Sequence, residues 1–321
     1  MFCLLLYSII AQLQRQASLQ TSLNSLYSIA YNTKVLPLVA VVFLMFVNWG
    51  LESVKWRLVM RGANAISLRT SIKAVFAGNA LAFFTPNRIG EYFGRMLCLR
   101  KDQRIRSLPA TMVCSYAQLM VTLAMGVIGL TMIGGTFIQR FSEARLAALI
   151  GAFQILIIIL LILLTILYFR LREASAWLQN TRIFGRWLRR IRVLEDVNAT
   201  VQIYLLSLSI ARYLVFVVQY YLVFRVFGVE VDWWQAFWAV SVVFLVIAVV
   251  PSLGFLSELG IRWQAGIQVV QVYSTNITGI FASSLAIWLI NLVIPAVAGG
   301  LLILALKLFD NKTDCNRAGF T

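Results

Sequence analysis

Five uninterrupted apolar runs dominate the chain, at residues 35–51, 108–135, 146–169, 201–227 and 277–306. Each is close to, or longer than, the roughly 20 residues that cross a bilayer as a helix. The third contains IGAFQILIIILLILLTILYF, without a charge, and such a segment predicts a membrane-spanning helix. Pro37 and Pro109 fall in the opening turns of their predicted helices, where a missing N–H costs little. Pro295, with Gly299 and Gly300, predicts a bend in the last helix.

Two further apolar stretches have a different texture. Residues 71–99 and 235–273 carry Pro, Gly, Glu and Arg where a plain span has none. Each runs apolar to a proline, Pro86 or Pro251, then passes through glycine (Gly90, Gly254) and a charged pair into a second apolar half. This pattern predicts two broken helices, which are tolerated at membrane depth only where protein or a water-filled cavity satisfies the freed backbone.

The ends are less regular. Residues 1–11 make half a span without the features of a cleaved signal, so a first helix truncated at its start is expected. Residues 12–33 read either as an interfacial helix, with Leu19, Leu23, Leu26 and Ala30 on one face, or as a polar loop. Residues 1–34 are thus grouped as a partial helix and interfacial segment before a core at 35–306, and 307–321 as a short cytoplasmic tail.

Composition agrees with the pattern: 61% of 321 residues are apolar, 12% are charged, and mean hydropathy is +0.85. An ordinary soluble domain is excluded, and a single all-α polytopic membrane domain is predicted. There is no histidine, which removes Ser-His and Cys-His nucleophiles, imidazole ligands and a histidine pH switch. Cys3, Cys98, Cys114 and Cys315 are too scattered for a zinc site or a disulfide framework and read as buried apolar thiols. No catalysis, cofactor or metal is expected.

Net charge is +16, and its distribution orients the chain. Residues 52–73 hold Lys55, Arg57, Arg61, Arg69 and Lys73, and residues 100–106 hold four more cations. Both segments read as cytoplasmic. The stretch between them is then a re-entrant hairpin entering and leaving on the inside. Residues 170–196, where Trp177, Phe184, Trp187 and Ile191 alternate with arginines, read as a cationic helix on the cytoplasmic leaflet. The second hairpin then opens outside, near Glu230 and Asp232, and the C-terminus lies inside. Two hairpins opening to opposite faces form an inverted repeat, as in many transporters; two ordinary kinked spans are the alternative. Positive-inside topology accounts for the basic excess, so nucleic acid is not expected as a partner.

The candidate chemistry lies at the breaks. Glu91 and Arg95 follow Pro86, and Glu258 and Arg262 follow Pro251, each pair at helical spacing i,i+4. Arg88, Arg95, Arg212 and Arg262 fall at membrane depth, where a charge costs about 2.5–3.5 kcal/mol on insertion scales and marks function by default. Such arginines can bind a phosphate-bearing headgroup bidentately, with Glu91 and Glu258 gating. Alternatively the pairs are locks that hold the hairpins. Arg212 has no acidic residue within 15 positions, so its partner must come from elsewhere in the fold, and Glu91 and Glu258 are the carboxylates expected at depth. Asn79, Gln219 and Asn291 either line the same cavity or join helices.

The segments NWGLESVKWRLVMRG, AGNALAFFTPNRIGEYFGR, VPSLGFLSELGIRWQA and SLAIWLINLVIPAVAGG resemble the lysylphosphatidylglycerol synthase transmembrane, or flippase-like, family across most of residues 35–305. The family's first turn maps onto Pro86, Gly90, Glu91 and Arg95, and its second onto Pro251, Gly254, Glu258, Gly260 and Arg262. Here the second acidic residue precedes its arginine instead of following it. Some members fuse this region to a soluble aminoacyltransferase domain; about 15 residues follow the last span, so the membrane region alone is expected. The resemblance implies binding and passage of a polar or anionic lipid between leaflets, in a bacterial inner membrane. A small-solute or ion transporter or channel, and a non-transporting scaffold for a separate lipid-modifying enzyme, are the alternatives.

Overall fold

The computed structural model describes residues 35–61, 66–141, 144–171, 173, 198–252 and 255–318. These residues are helical throughout, in the order α1 (Val35–Met60), α2 (Leu68–Phe84), a 3-10 turn (Pro86–Arg88), α3 (Gly90–Leu97), α4 (Lys101–Phe141), α5 (Ala144–Phe169), α6 (Ala199–Val226), α7 (Trp233–Val249), α8 (Phe255–Val270), α9 (Ile277–Trp288), a π-helical turn (Leu289–Val293) and α10 (Ile294–Ala318). Five helices among the described residues are long and apolar enough to cross a membrane: Val35–Met60, Gln103–Thr136, Ala148–Phe169, Ala199–Val226 and Ile277–Leu306. They coincide with the five apolar runs. The amino-terminal segment, most of residues 170–196, and Gly254 lie outside the described residues.

Helix α6 is the hub, packing against α1, α4, α7 and α9. Two helical pairs complete the fold: α2 folds back on α3 and packs against α1 and α10, and α7, beside α6, folds back on α8. Glycine permits the first fold. A Cβ on Gly94 would meet the Ala77 carbonyl oxygen at 2.4 Å, and one on Gly90 the Leu81 oxygen at 2.3 Å. Helix α10 approaches α2 as closely, since a Cβ on Gly299 would lie 2.0 Å from the Phe76 oxygen. Behind α6 the core is aromatic: Tyr213 and Tyr220 stand edge-on to Phe244 of α7, with centroids 5.9 and 5.6 Å apart. Such pairs contribute about 0.5–1.5 kcal/mol beyond their buried area.

Two expectations are corrected. Pro109 is not in an opening turn, because α4 begins eight residues earlier at Lys101. Gln103, Ser107 and Ala110 are buried, and residues 101–106 of the basic segment form the first turns of the helix. Lys55, read from charge as cytoplasmic, is 1% exposed inside α1. In the last span a π turn, Leu289–Val293, interrupts the helix just before Pro295, which has no N–H to donate.

Candidate functional site

Helix α1 presents Asn48, Glu52 and Lys55 at spacings of four and three, hence on one face. That face meets Arg95 of α3 and Arg212 of α6. Glu52 Oε1 accepts from Arg95 Nη2 at 2.8 Å, and Glu52 Oε2 accepts from Arg212 Nη1 at 2.6 Å. Lys55 Nζ lies 2.9 Å from Oε2 and also reaches Ser209 and Gln118. Three cations therefore surround one carboxylate that is 3% exposed. Arg95 also pairs with Glu91 on its own helix, as the i,i+4 spacing predicts. Arg212 Nε donates to Asn48 Oδ1 at 2.6 Å, and its guanidinium lies over Trp49 and Phe216, 5.3 and 5.7 Å from the ring centroids.

The break that carries Arg88 and Glu91 is locally encoded. Thr85 ends α2 in an extended conformation; its hydroxyl donates to the Leu81 carbonyl at 3.1 Å and accepts from the Gly90 N–H at 2.7 Å, bridging the gap. Pro86 opens the turn. Asn87 and Arg88 then adopt left-handed conformations, φ +49° and +59°, which non-glycine residues rarely take. This reversal returns Arg88 toward α2, where its Nη2 donates to Asn79 Oδ1 at 3.0 Å. Arg88 stands 3.8 Å from Glu91.

In α8, Arg262 Nη2 donates to Glu258 Oε1 at 3.0 Å, and Arg262 Nη1 donates to Tyr220 Oη of α6 at 3.0 Å. The two breaks touch directly. Asn87 N–H donates to the Ser252 carbonyl at 2.9 Å, and Ser252 N–H donates to Asn87 Oδ1 at 3.1 Å.

Beside this junction lies a cavity of about 580 Å³. Its charged lining residues are Glu52, Lys55, Arg88, Glu91, Arg212, Glu258 and Arg262. Leu119, Phe216, Phe244, Ile247 and Val249 also line it. The charged side chains lining it total one more cation than anions.

All six charged residues singled out from sequence are near this junction, and five of them line the cavity. Arg95 does not; it is fully enclosed behind Glu52 and Glu91. Pro86 and Pro251 mark the breaks. One expectation fails: the carboxylate that meets Arg212 is Glu52, not Glu91 or Glu258. Positive-inside counting hid it, because Glu52 opens a basic cluster. The available signal was the i,i+3 spacing of Glu52 and Lys55 at the end of an apolar run. Gln219 joins helices through Val41 O at 2.9 Å, and Asn79 links α2 to Leu292 O while holding Arg88. Among the described cysteines, Cys114 is buried and Cys98 half-buried.

Comparison with known sequences places this geometry in context. The sequence model of the family described as Lysylphosphatidylglycerol synthase TM region matches residues 3–262, taking in the first broken helix and the second as far as Arg262. No curated protein matches the chain.

Proposed function

The chain belongs to the lysylphosphatidylglycerol synthase TM-region family, and we propose that it binds an anionic phospholipid in the cavity between its broken helices and passes the headgroup between leaflets. The observation that carries this reading is that one cavity is lined both by cations, Lys55, Arg88, Arg212 and Arg262, which outnumber its three carboxylates by one, and by aromatic and aliphatic side chains. Arg212 and Arg88 offer planar donors suited to a phosphodiester. Phe216, Phe244 and Ile247 take the first methylenes of the acyl chains, at about 0.8 kcal/mol for each buried CH₂.

Passage between leaflets rests on the two hairpins being re-entrant and of opposite orientation. The repeated order of a helix, a broken pair and a long helix supports this, as does the meeting of the tips. Cations near Met60, along residues 100–106 and after Phe169 support a cytoplasmic side for those ends by the charge rule. The proposed setting is a bacterial cytoplasmic membrane, with the C-terminus inside. The role is transport, with no chemistry performed on the lipid.

The test is mass spectrometry of lipids that co-purify with the wild-type protein and with Arg212→Ala, paired with a leaflet-exchange assay of fluorescent phosphatidylglycerol in proteoliposomes. Enrichment of one anionic headgroup class and its exchange between leaflets, both lost in the variant, are the expected results. Bulk membrane lipid in both samples, with equal exchange, overturns the proposal.

A further inference from the structure

We infer that Glu52 is a tethered counter-ion that occupies Arg212 until the phosphate of an anionic lipid takes its place, and that it thereby sets the selectivity of the site. This rests on the lipid-binding reading above.

Glu52 is held as a bound oxyanion is held. Both oxygens are engaged, by Arg95 at 2.8 Å, Arg212 at 2.6 Å and Lys55 at 2.9 Å. The three cations are not equivalent. Arg95 is 0% exposed and bound also to Glu91, so it cannot leave its place. Lys55 is fixed on the same helix at i,i+3 and held further by Ser209 and Gln118. The Arg212 side chain retains 13% exposure and faces the cavity. It is the arm that can exchange partners.

Exchange leaves no charge unpaired. When a phosphodiester accepts from Arg212, Glu52 remains between Arg95 and Lys55, and Asn48 still orients the guanidinium through Nε. A headgroup with a formal negative charge can replace the carboxylate, whereas a neutral polar group leaves Arg212 on Glu52. The carboxylate also repels small anions that bring no acyl chain to offset the exchange. Glu52 is thus a positioning residue that acts through Arg212 and discriminates by charge.

The experiment reconstitutes full-length wild type, Glu52→Gln, Glu52→Asp and Arg212→Ala in nanodiscs containing equal phosphatidylglycerol and phosphatidylcholine, and measures the lipid retained after detergent exchange. Glu52→Gln frees Arg212 and is expected to retain phosphatidylglycerol about tenfold more tightly, the scale of one charge-assisted hydrogen bond. It is also expected to admit inorganic phosphate as a competitor, which wild type does not. Glu52→Asp keeps the charge but withdraws the carboxylate, and gives an intermediate gain; it decides the matter if the glutamine variant does not fold. Retention equal to or below wild type in both Glu52 variants, with loss in Arg212→Ala, overturns the counter-ion role and leaves Glu52 as a structural lock. Unchanged retention in Arg212→Ala instead overturns the lipid site itself.

Discussion

Asn87 and Ser252, 165 positions apart, join the tips of the two broken helices by a reciprocal pair of hydrogen bonds of 2.9 and 3.1 Å. Pro86 and Pro251 precede them at the same separation. The contact closes one side of the cavity, and opening that side requires it to part. A protein carrying Asn87→Cys and Ser252→Cys, with its four native cysteines replaced, is therefore expected to crosslink on mild oxidation, since bonded main chains bring the Cβ atoms into disulfide range. Leaflet exchange should stop on oxidation and return on reduction. Exchange at full rate in the crosslinked protein would exclude movement at this contact.

The bridge made by Thr85 gives a second expectation. Its hydroxyl satisfies both the Leu81 carbonyl and the Gly90 N–H across the break. Thr85→Val removes both bonds and should cost about 1–3 kcal/mol, as for a buried polar group left unsatisfied. Thr85→Ser should restore most of it. Thermal unfolding in detergent separates the two variants by several degrees if the hydroxyl carries the turn.

Arg262 has two partners, and their removal should not be equivalent. Tyr220→Phe deletes one hydrogen bond to a guanidinium, about 1.5–3 kcal/mol. Glu258→Gln removes the charge facing a buried cation and should cost more, about 3–5 kcal/mol. Unfolding midpoints in the order wild type, Tyr220→Phe, Glu258→Gln check this, and the reverse order would assign the hold on Arg262 to the tyrosine.

Close helix contacts make a third stability comparison. Gly94→Ala and Gly299→Ala place a Cβ within 2.4 Å of a backbone oxygen and should lower expression and unfolding temperature sharply. Gly134→Ala meets nothing within 4 Å and should be neutral or gain up to about 1 kcal/mol of helix propensity. Equal effects at the three positions would mean that α2 does not approach α3 and α10 this closely.

The spans and the breaks were legible because their determinants are local. Apolar length marks a span, and a proline after 15 or 16 apolar residues marks a break. The i,i+4 pairs Glu91–Arg95 and Glu258–Arg262 were legible for the same reason. The partner of Arg212 was not, because Glu52 lies 160 positions away and a one-dimensional charge count merges it with the cytoplasmic cations around it. The start of α4 was misread because a proline eight residues into a helix resembles one at its head. Nothing local announces that Asn87 and Ser252 meet; only the equal spacing from their prolines hints at it.

The burial of Glu52 bears on how the protein is made. Translation delivers this carboxylate 43 residues before Arg95 and 160 before Arg212. During that interval α1 carries Glu52 with only Lys55 as a counter-charge on its own surface. The C-terminal half of α1 is then costly to bury in lipid, because two of the three cations that surround Glu52 are still to be made. The charge pairing of α1 is completed late, by α6. A chain that stops before residue 212 therefore lacks one of the three cations that hold this carboxylate.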